Sequence, residues 1–300
     1  MPRQSDPVWV RVLNEQEQGH ESRKRLYRQM EDLLERPVVA FFTSFRYRVA
    51  MQDPDVEMLQ DVLQSSDLSR GLALVISSPG GDGLSAERII NTCRKHSGTG
   101  EYWAIVPGKA KSAATLVCFG ASKICMGPTS ELGSVDPQVP IPDENGVQWV
   151  AAHHVVASYL DLFARAVRAK GNLEPYLQQL AHYDERVIKE FQSAIELSKD
   201  ISIRALATGM MKGDSKAEVE KRIRLFLTPE QTKTHGRPVY REEARDCGLV
   251  IQDIARTDPL WNPTYELFVR MENYVSTRAS KCIEGRDHSF LVPPPKEERQ

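Results

Sequence analysis

Two short segments hold the residue types that acyl-transfer chemistry needs. Residues 76–82 read Ile76-Ser77-Ser78-Pro79-Gly80-Gly81-Asp82, and residues 109–115 read Lys109-Ala110-Lys111-Ser112-Ala113-Ala114-Thr115. A Pro-Gly-Gly turn frees backbone N–H groups, because glycine tolerates angles that take a peptide out of regular pairing. A serine opening an apolar helix can present its hydroxyl at the positive helix end, where a developing oxyanion is stabilised. A nucleophile beside backbone donors is the core of a site that attacks an acyl carbon. Each segment alone has a plainer role, a tight turn for the glycines and a helix N-cap for the serine. No phosphate loop competes, since Gly-x-Gly-x-x-Gly and Gly-Lys-Ser/Thr patterns are absent.

The elements that must hold these segments are legible around them. The apolar run Gly71–Ile76 reads as a buried strand leading into the turn, and Tyr102–Val106 as a second strand leading toward Ser112. Further strands are expected over 37–42 and Lys123–Met126. Helices are expected over Asn14–Leu34, Asp55–Leu63, Leu84–Lys95 and Ser112–Gly120. Short apolar strands alternating with helices argue for parallel βαβ units, with the sheet covered on both faces. After Val147 the pattern turns mostly helical, over Ala151–Lys170, Glu174–Leu180, Asp184–Ser198 and Lys216–Leu227, and Thr228-Pro229-Glu230 carries an N-cap signal. Three regions follow: 1–35, an amphipathic helical lead; 36–255, the main domain with its helical part at 151–227; and 256–300, a C-terminal extension. The last stretch, from Val292, is expected to be disordered, although 265–274 has a helical pattern.

Composition narrows the function classes. The 300 residues are 41% hydrophobic and 27% charged, with a net charge of -2, so no global pull toward nucleic acid or anionic membrane is expected. No window approaches the ~20 apolar residues of a membrane span, and the polar start lacks a signal core. Cys93, Cys118, Cys125, Cys247 and Cys282 are odd in number and widely spaced, which predicts reduced thiols in a cytoplasmic protein and no metal site.

Ile76–Asp82, Ala110–Thr115 and the run from Gly120 through Glu131-Leu132-Gly133-Ser134-Val135-Asp136-Pro137-Gln138 resemble the Clp-fold serine peptidases. The family most resembled is the serine dehydrogenase proteinases, which are related to signal peptide peptidase A and the Clp protease proteolytic subunit. Thr234-His235-Gly236-Arg237-Pro238 and Gly248-Leu249-Val250 resemble that family's later motif, so the likeness spans roughly 35–250. It implies an α/β chain of the ClpP/crotonase type, with repeated ββα units and an added helical region. It also implies a serine endopeptidase with Ser112 as nucleophile and the N–H groups of Gly81 and Ala113 as oxyanion hole. No cofactor or metal is implied. The expected partner is a protein or peptide substrate, and the expected assembly a ring-like homo-oligomer, a trimer or a multiple of one.

The general base is open at this level. The Clp proteolytic subunit carries a histidine downstream of its serine, where this chain has Ser134-Val135-Asp136-Pro137-Gln138. Signal peptide peptidase relatives use a lysine further along, and near that spacing stand His153 and His154. Imidazole is a competent base without burial, which makes His153 the leading candidate and His154 its substitute. Lys111, beside the serine, is a further candidate, while Lys170 and Lys189 have no spacing argument. His235 could line the site from the later motif, and Asp136 could orient a base or simply form the turn before Pro137. Two other functions stay open: a non-catalytic scaffold that binds a protein partner, and a thioester enzyme using the same oxyanion hole.

Overall fold

Residues 6–16, 18–143 and 146–295 are described by the structure, a computed structural model. Its centre is built from β1 (Val38–Thr43), β2 (Leu72–Ser77), β3 (Tyr102–Val106) and β5 (Lys123–Met126), with the short β4 (Lys109–Ala110) between the last two. These apolar runs are buried almost throughout, as expected for strands covered on both faces. A seven-stranded sheet results when β9 (Ile251–Asp253), β10 (Lys281–Glu284) and β11 (Ser289–Val292) join, in the order β11-β10-β1-β2-β3-β5-β9. From β1 to β9 every pairing is parallel and the chain always steps the same way. Right-handed crossovers stepping one way place their helices on one face.

On that face lie α3 (Asp53–Gln64), α4 (Gly83–His96) and α5 (Ala113–Phe119), packed through Val56, Leu59, Ile89, Ile90, Val117 and Phe119. The opposite face is closed by α2 (Lys24–Leu34) and α13 (Trp261–Thr277), through Leu26, Met30, Leu267 and Met271. The lead therefore serves the main core. It is also two helices, α1 (Val8–Asn14) and α2, rather than one over Asn14–Leu34. The C-terminal extension is likewise built into the sheet, since β10 pairs antiparallel with β1. Val292 closes β11, and residues 296–300 lie outside those described.

Lead and extension meet at a buried ion pair. Arg23 grips Glu284 through two bonds of 2.6 and 2.7 Å, both side chains having no exposure, and Tyr27 donates to the same carboxylate. Burial alone would raise the Glu284 carboxyl, but the bonds and charge of Arg23 outweigh it and hold the group below the usual carboxylate range. That part of the stability is present above the usual range and is lost as the pH falls through the lowered value. Glu284→Gln leaves a buried guanidinium without its counter-charge, so chemical denaturation is expected to show a loss of about 3–5 kcal/mol.

Between β5 and β9 the chain runs through β6 (Glu131–Leu132), a hairpin of β7 (Gln138–Asp143) and β8 (Gly146–Ala151), then α6 (Ala152–Arg168), α7 (Glu174–Leu180) and α8 (Glu185–Ala207). The hairpin is absent from the sequence reading. Pro140 and Pro142 lie within β7, and proline weakens a strand signal. Four short helices follow, α9 (Lys216–Arg222), α10 (Arg224–Leu227), α11 (Pro229–Thr232) and α12 (Arg241–Asp246). Among the described residues no helix is long and apolar enough to cross a membrane.

Candidate active site

The Pro-Gly-Gly turn is docked onto the strand that leads to the serine. Ser78 N–H donates to Lys109 O at 3.1 Å, and Lys111 N–H donates to Ser78 O at 3.0 Å. Gly80 sits so close to the serine that a Cβ there would lie 2.6 Å from Ser112 Cβ and 2.6 Å from Lys111 O. Its φ of +101° also disfavours any side chain. Gly80→Ala is therefore expected to displace Ser112 and abolish activity. Its measured counterpart is the loss of labelling of Ser112 by a serine-directed probe in a variant that still folds.

The outer edge of the turn is held by Met51, whose N–H donates to Gly80 O and whose carbonyl accepts from Asp82 N–H. This pairing leaves the N–H of Gly81 without a protein acceptor among the described residues, on an exposed residue. The N–H of Ala113, the first residue of α5, is also without one, as first-turn donors of a helix are. Two backbone donors are thus free beside one hydroxyl.

Ser112 stands at the N-cap of α5, but its side chain makes no capping bond. Its φ is +51° and ψ −122°, one of three non-glycine residues with positive φ among those described. Such a backbone costs about 1–3 kcal/mol and is kept where surrounding structure enforces it. The plainer role proposed for this serine, a helix cap, is not what it performs. Thr115 explains the remainder of the motif: its Oγ1 donates to Ala110 O at 2.8 Å and accepts from Gly133 N–H at 3.1 Å. It ties the Ser112 segment to the chain that continues toward Asp136, and β4 pairs with β6 alongside.

Gly133 packs directly against Lys111. Asp136 follows three residues later, a reach of about 10 Å at most. Its buried carboxylate accepts from Gln138 Nε2 at 3.0 Å through Oδ2, and its Oδ1 lies 2.9 Å from His235 Nδ1. His235 is about a quarter exposed, so one ring edge faces out. Asp136 and His235, assigned only supporting roles from sequence, are a hydrogen-bonded pair here.

The other sequence candidates are placed elsewhere. Lys111 Nζ is held by Glu131 at 2.8 Å and by Leu132 O at 3.2 Å. His153 lies at the start of α6 and lines a cavity with Pro137, Ser198 and Thr228, a cavity that Ser112 does not line. His154 faces a different groove, beside the β7–β8 hairpin and Tyr183. Neither has a hydrogen bond to Ser112. Lys170 and Lys189 are exposed. All five cysteines are free and buried. Burial pushes the thiol of Cys93 up to about 12, and those of Cys125 and Cys247 to about 11, which suppresses the thiolate needed for attack. Among the described residues no group of three or more His, Cys, Asp or Glu side chains is placed to hold a metal ion.

Residues 20–152 match the family of ClpP-like SDH-type serine proteinases. The resemblance read from the sequence is borne out over that stretch, which holds Gly81, Ser112, Ala113 and Asp136 and ends just before His153. It is shorter than the expected span of 35–250 at its C-terminal end. The ClpP-like α/β architecture is as expected too, and β3, β4 and α5 form one of its ββα units. No curated protein matches the chain. Similar solved structures include a mutant of ClpP1 from Listeria monocytogenes, 14% identical, covering 77% of this chain and 98% of that one with a TM-score of 0.39. Two others are mutants of the 1510-N membrane-bound stomatin-specific protease. One is 13% identical with a TM-score of 0.30, covering 69% of this chain and 94% of that one. The other, in complex with a substrate peptide, is 16% identical with a TM-score of 0.30, covering 69% and 87%.

Proposed function

We propose that this chain is a serine peptidase whose nucleophile is Ser112. The observation that carries the reading is the uncapped Ser112 hydroxyl on a strained backbone, beside the free N–H groups of Gly81 and Ala113. Ser112 Oγ attacks the peptide carbonyl as its proton passes to the base, and the two N–H groups take up the negative charge of the tetrahedral intermediate. Its collapse expels the amine, which takes that proton, to leave an acyl-enzyme that water then hydrolyses.

For the base we propose His235, oriented by Asp136, in place of His153. With Asp136 ionised, the proton of the imidazole stays on Nδ1, so Nε2 is the nitrogen left to take the serine proton. Asp136 stands in the stretch where the Clp proteolytic subunit has its histidine, which supports a pair moved by one step: the carboxylate on the β6 side, the imidazole on the loop after α11. Hydrogen bonds between nucleophile and base are often long before substrate arrives.

Self-association belongs to the same proposal. Leu160, Phe163 and Val167 are exposed at one-face spacing along α6, with Trp149 exposed on the neighbouring hairpin. A second copy is the occupant we assign, in a ring of three or a multiple. The buried free cysteines fit a reducing compartment such as the cytoplasm.

Fluorophosphonate labelling read by intact mass tests the nucleophile. One adduct on the wild type, mapped to Ser112, is the expected result. Absence of any adduct on folded, oligomeric protein would overturn the assignment and leave the fold as a binding scaffold.

A further inference from the structure

A cavity of about 460 Å³ opens between α8, α9, α10 and the start of α11. That lies within the roughly 300–1,000 Å³ of small-ligand sites. Two residues that line it, His153 and Thr228, each bury a side-chain atom, Nε2 and Oγ1, with no hydrogen-bond partner. Buried polar atoms are rarely left unpaired, so two at one cavity need a reason. Thr228 is the more telling. It occupies the N-cap of α11, where its sequence predicts a capping bond, yet its side chain makes none.

The charges around the cavity are equally specific. Lys199 lies between Glu196 at 2.7 Å and Glu220 at 3.8 Å. Lys221, Arg224 and Glu230, all three exposed, also line the wall, and none of them has an ion-pair partner among the described residues. Three basic and three acidic side chains therefore balance, with two cations and one anion unengaged. Ile195 and Leu227 supply apolar wall.

We propose that this cavity binds a small zwitterion bearing an α-carboxylate and an α-ammonium group, as in a free amino acid or a short peptide with both ends free. The carboxylate is held by Arg224 and Lys221, the guanidinium offering a planar fork. Glu230 takes the ammonium, and the apolar wall takes a side chain. A dianion would meet three carboxylates, and a simple cation would meet Lys221 and Arg224. A ligand with both signs leaves the site balanced. Pro137 lines the cavity one residue beyond Asp136, so the ligand sits beside the proposed catalytic pair without sharing Ser112. Short free-ended peptides are what the proposed reaction releases, and in that respect the assignment rests on the peptidase reading, although the binding does not.

Calorimetry on full-length Ser112→Ala protein separates the two. Trialanine is expected to bind, and its N-acetylated and C-amidated forms at least about tenfold more weakly, one charge-assisted contact being lost in each. Arg224→Gln should erase the discrimination against the amide and Glu230→Gln that against the acetyl form, in variants whose circular dichroism is unchanged. Free leucine run alongside tells the source: binding as tight as trialanine assigns a free amino acid, weaker binding a peptide. Equal affinity for free and blocked peptides, or no binding of trialanine or leucine up to about 10 mM, overturns the proposal. Failure of fluorophosphonate labelling would sink the peptidase reading alone.

Discussion

Ser112→Ala is expected to abolish the proposed peptide-bond hydrolysis, turnover falling by about ten-thousand-fold or more. The size of the loss follows from what remains. The N–H groups of Gly81 and Ala113 would still polarise a bound carbonyl, but no covalent intermediate could form and water would have to attack unaided. Stability should barely change, because the Ser112 side chain caps nothing and alanine meets the same strain at φ +51°. A fluorogenic peptide assay beside a thermal melt checks both halves. A variant that keeps more than about a tenth of wild-type turnover would mean the hydroxyl is not the nucleophile.

The second large effect belongs to the hydrogen-bonded pair of Asp136 and His235, proposed as the orienting carboxylate and the base. His235→Ala and Asp136→Asn should each slow turnover by about a thousand- to ten-thousand-fold, the loss seen when a base is removed or its tautomer is wrong. The double variant should be little worse than either single one, because the two act as a unit. His153→Ala provides the contrast and should stay within about threefold of wild type, since it lines a cavity that Ser112 does not. The reverse pattern, with His153 essential and His235 dispensable, would return the base to the residue favoured by spacing. Acylation measured by rapid quench distinguishes a lost base from lost substrate binding.

Oligomer formation offers a smaller check on the α6 face. Phe163→Glu puts a charge into the stripe of Leu160 and Val167, and should shift the mass distribution in solution toward single chains.

Much of this protein is determined by its sequence alone, and the reason is locality. Tyr102–Val106 and Lys123–Met126 fall where their apolar runs end, because a strand covered on both faces announces itself as continuous hydrophobicity. The Pro-Gly-Gly turn and Ser112 are legible because each sits in a short run of distinctive residue types, although the close approach that demands the glycines is between segments, Gly80 against Ser112 and Gly81 against Met51. Tertiary structure decided what depends on distant chain. His235 reaches Asp136 across 99 residues, and no spacing rule links them, whereas His153 offered a spacing and no geometry. The C-terminal segment, set aside as an extension, supplies β10 to the edge of β1 and Glu284 to Arg23, 261 residues away. Strand pairing and buried ion pairs of that kind are chosen by packing once the sheet has formed, so they leave no periodicity in the residues that make them.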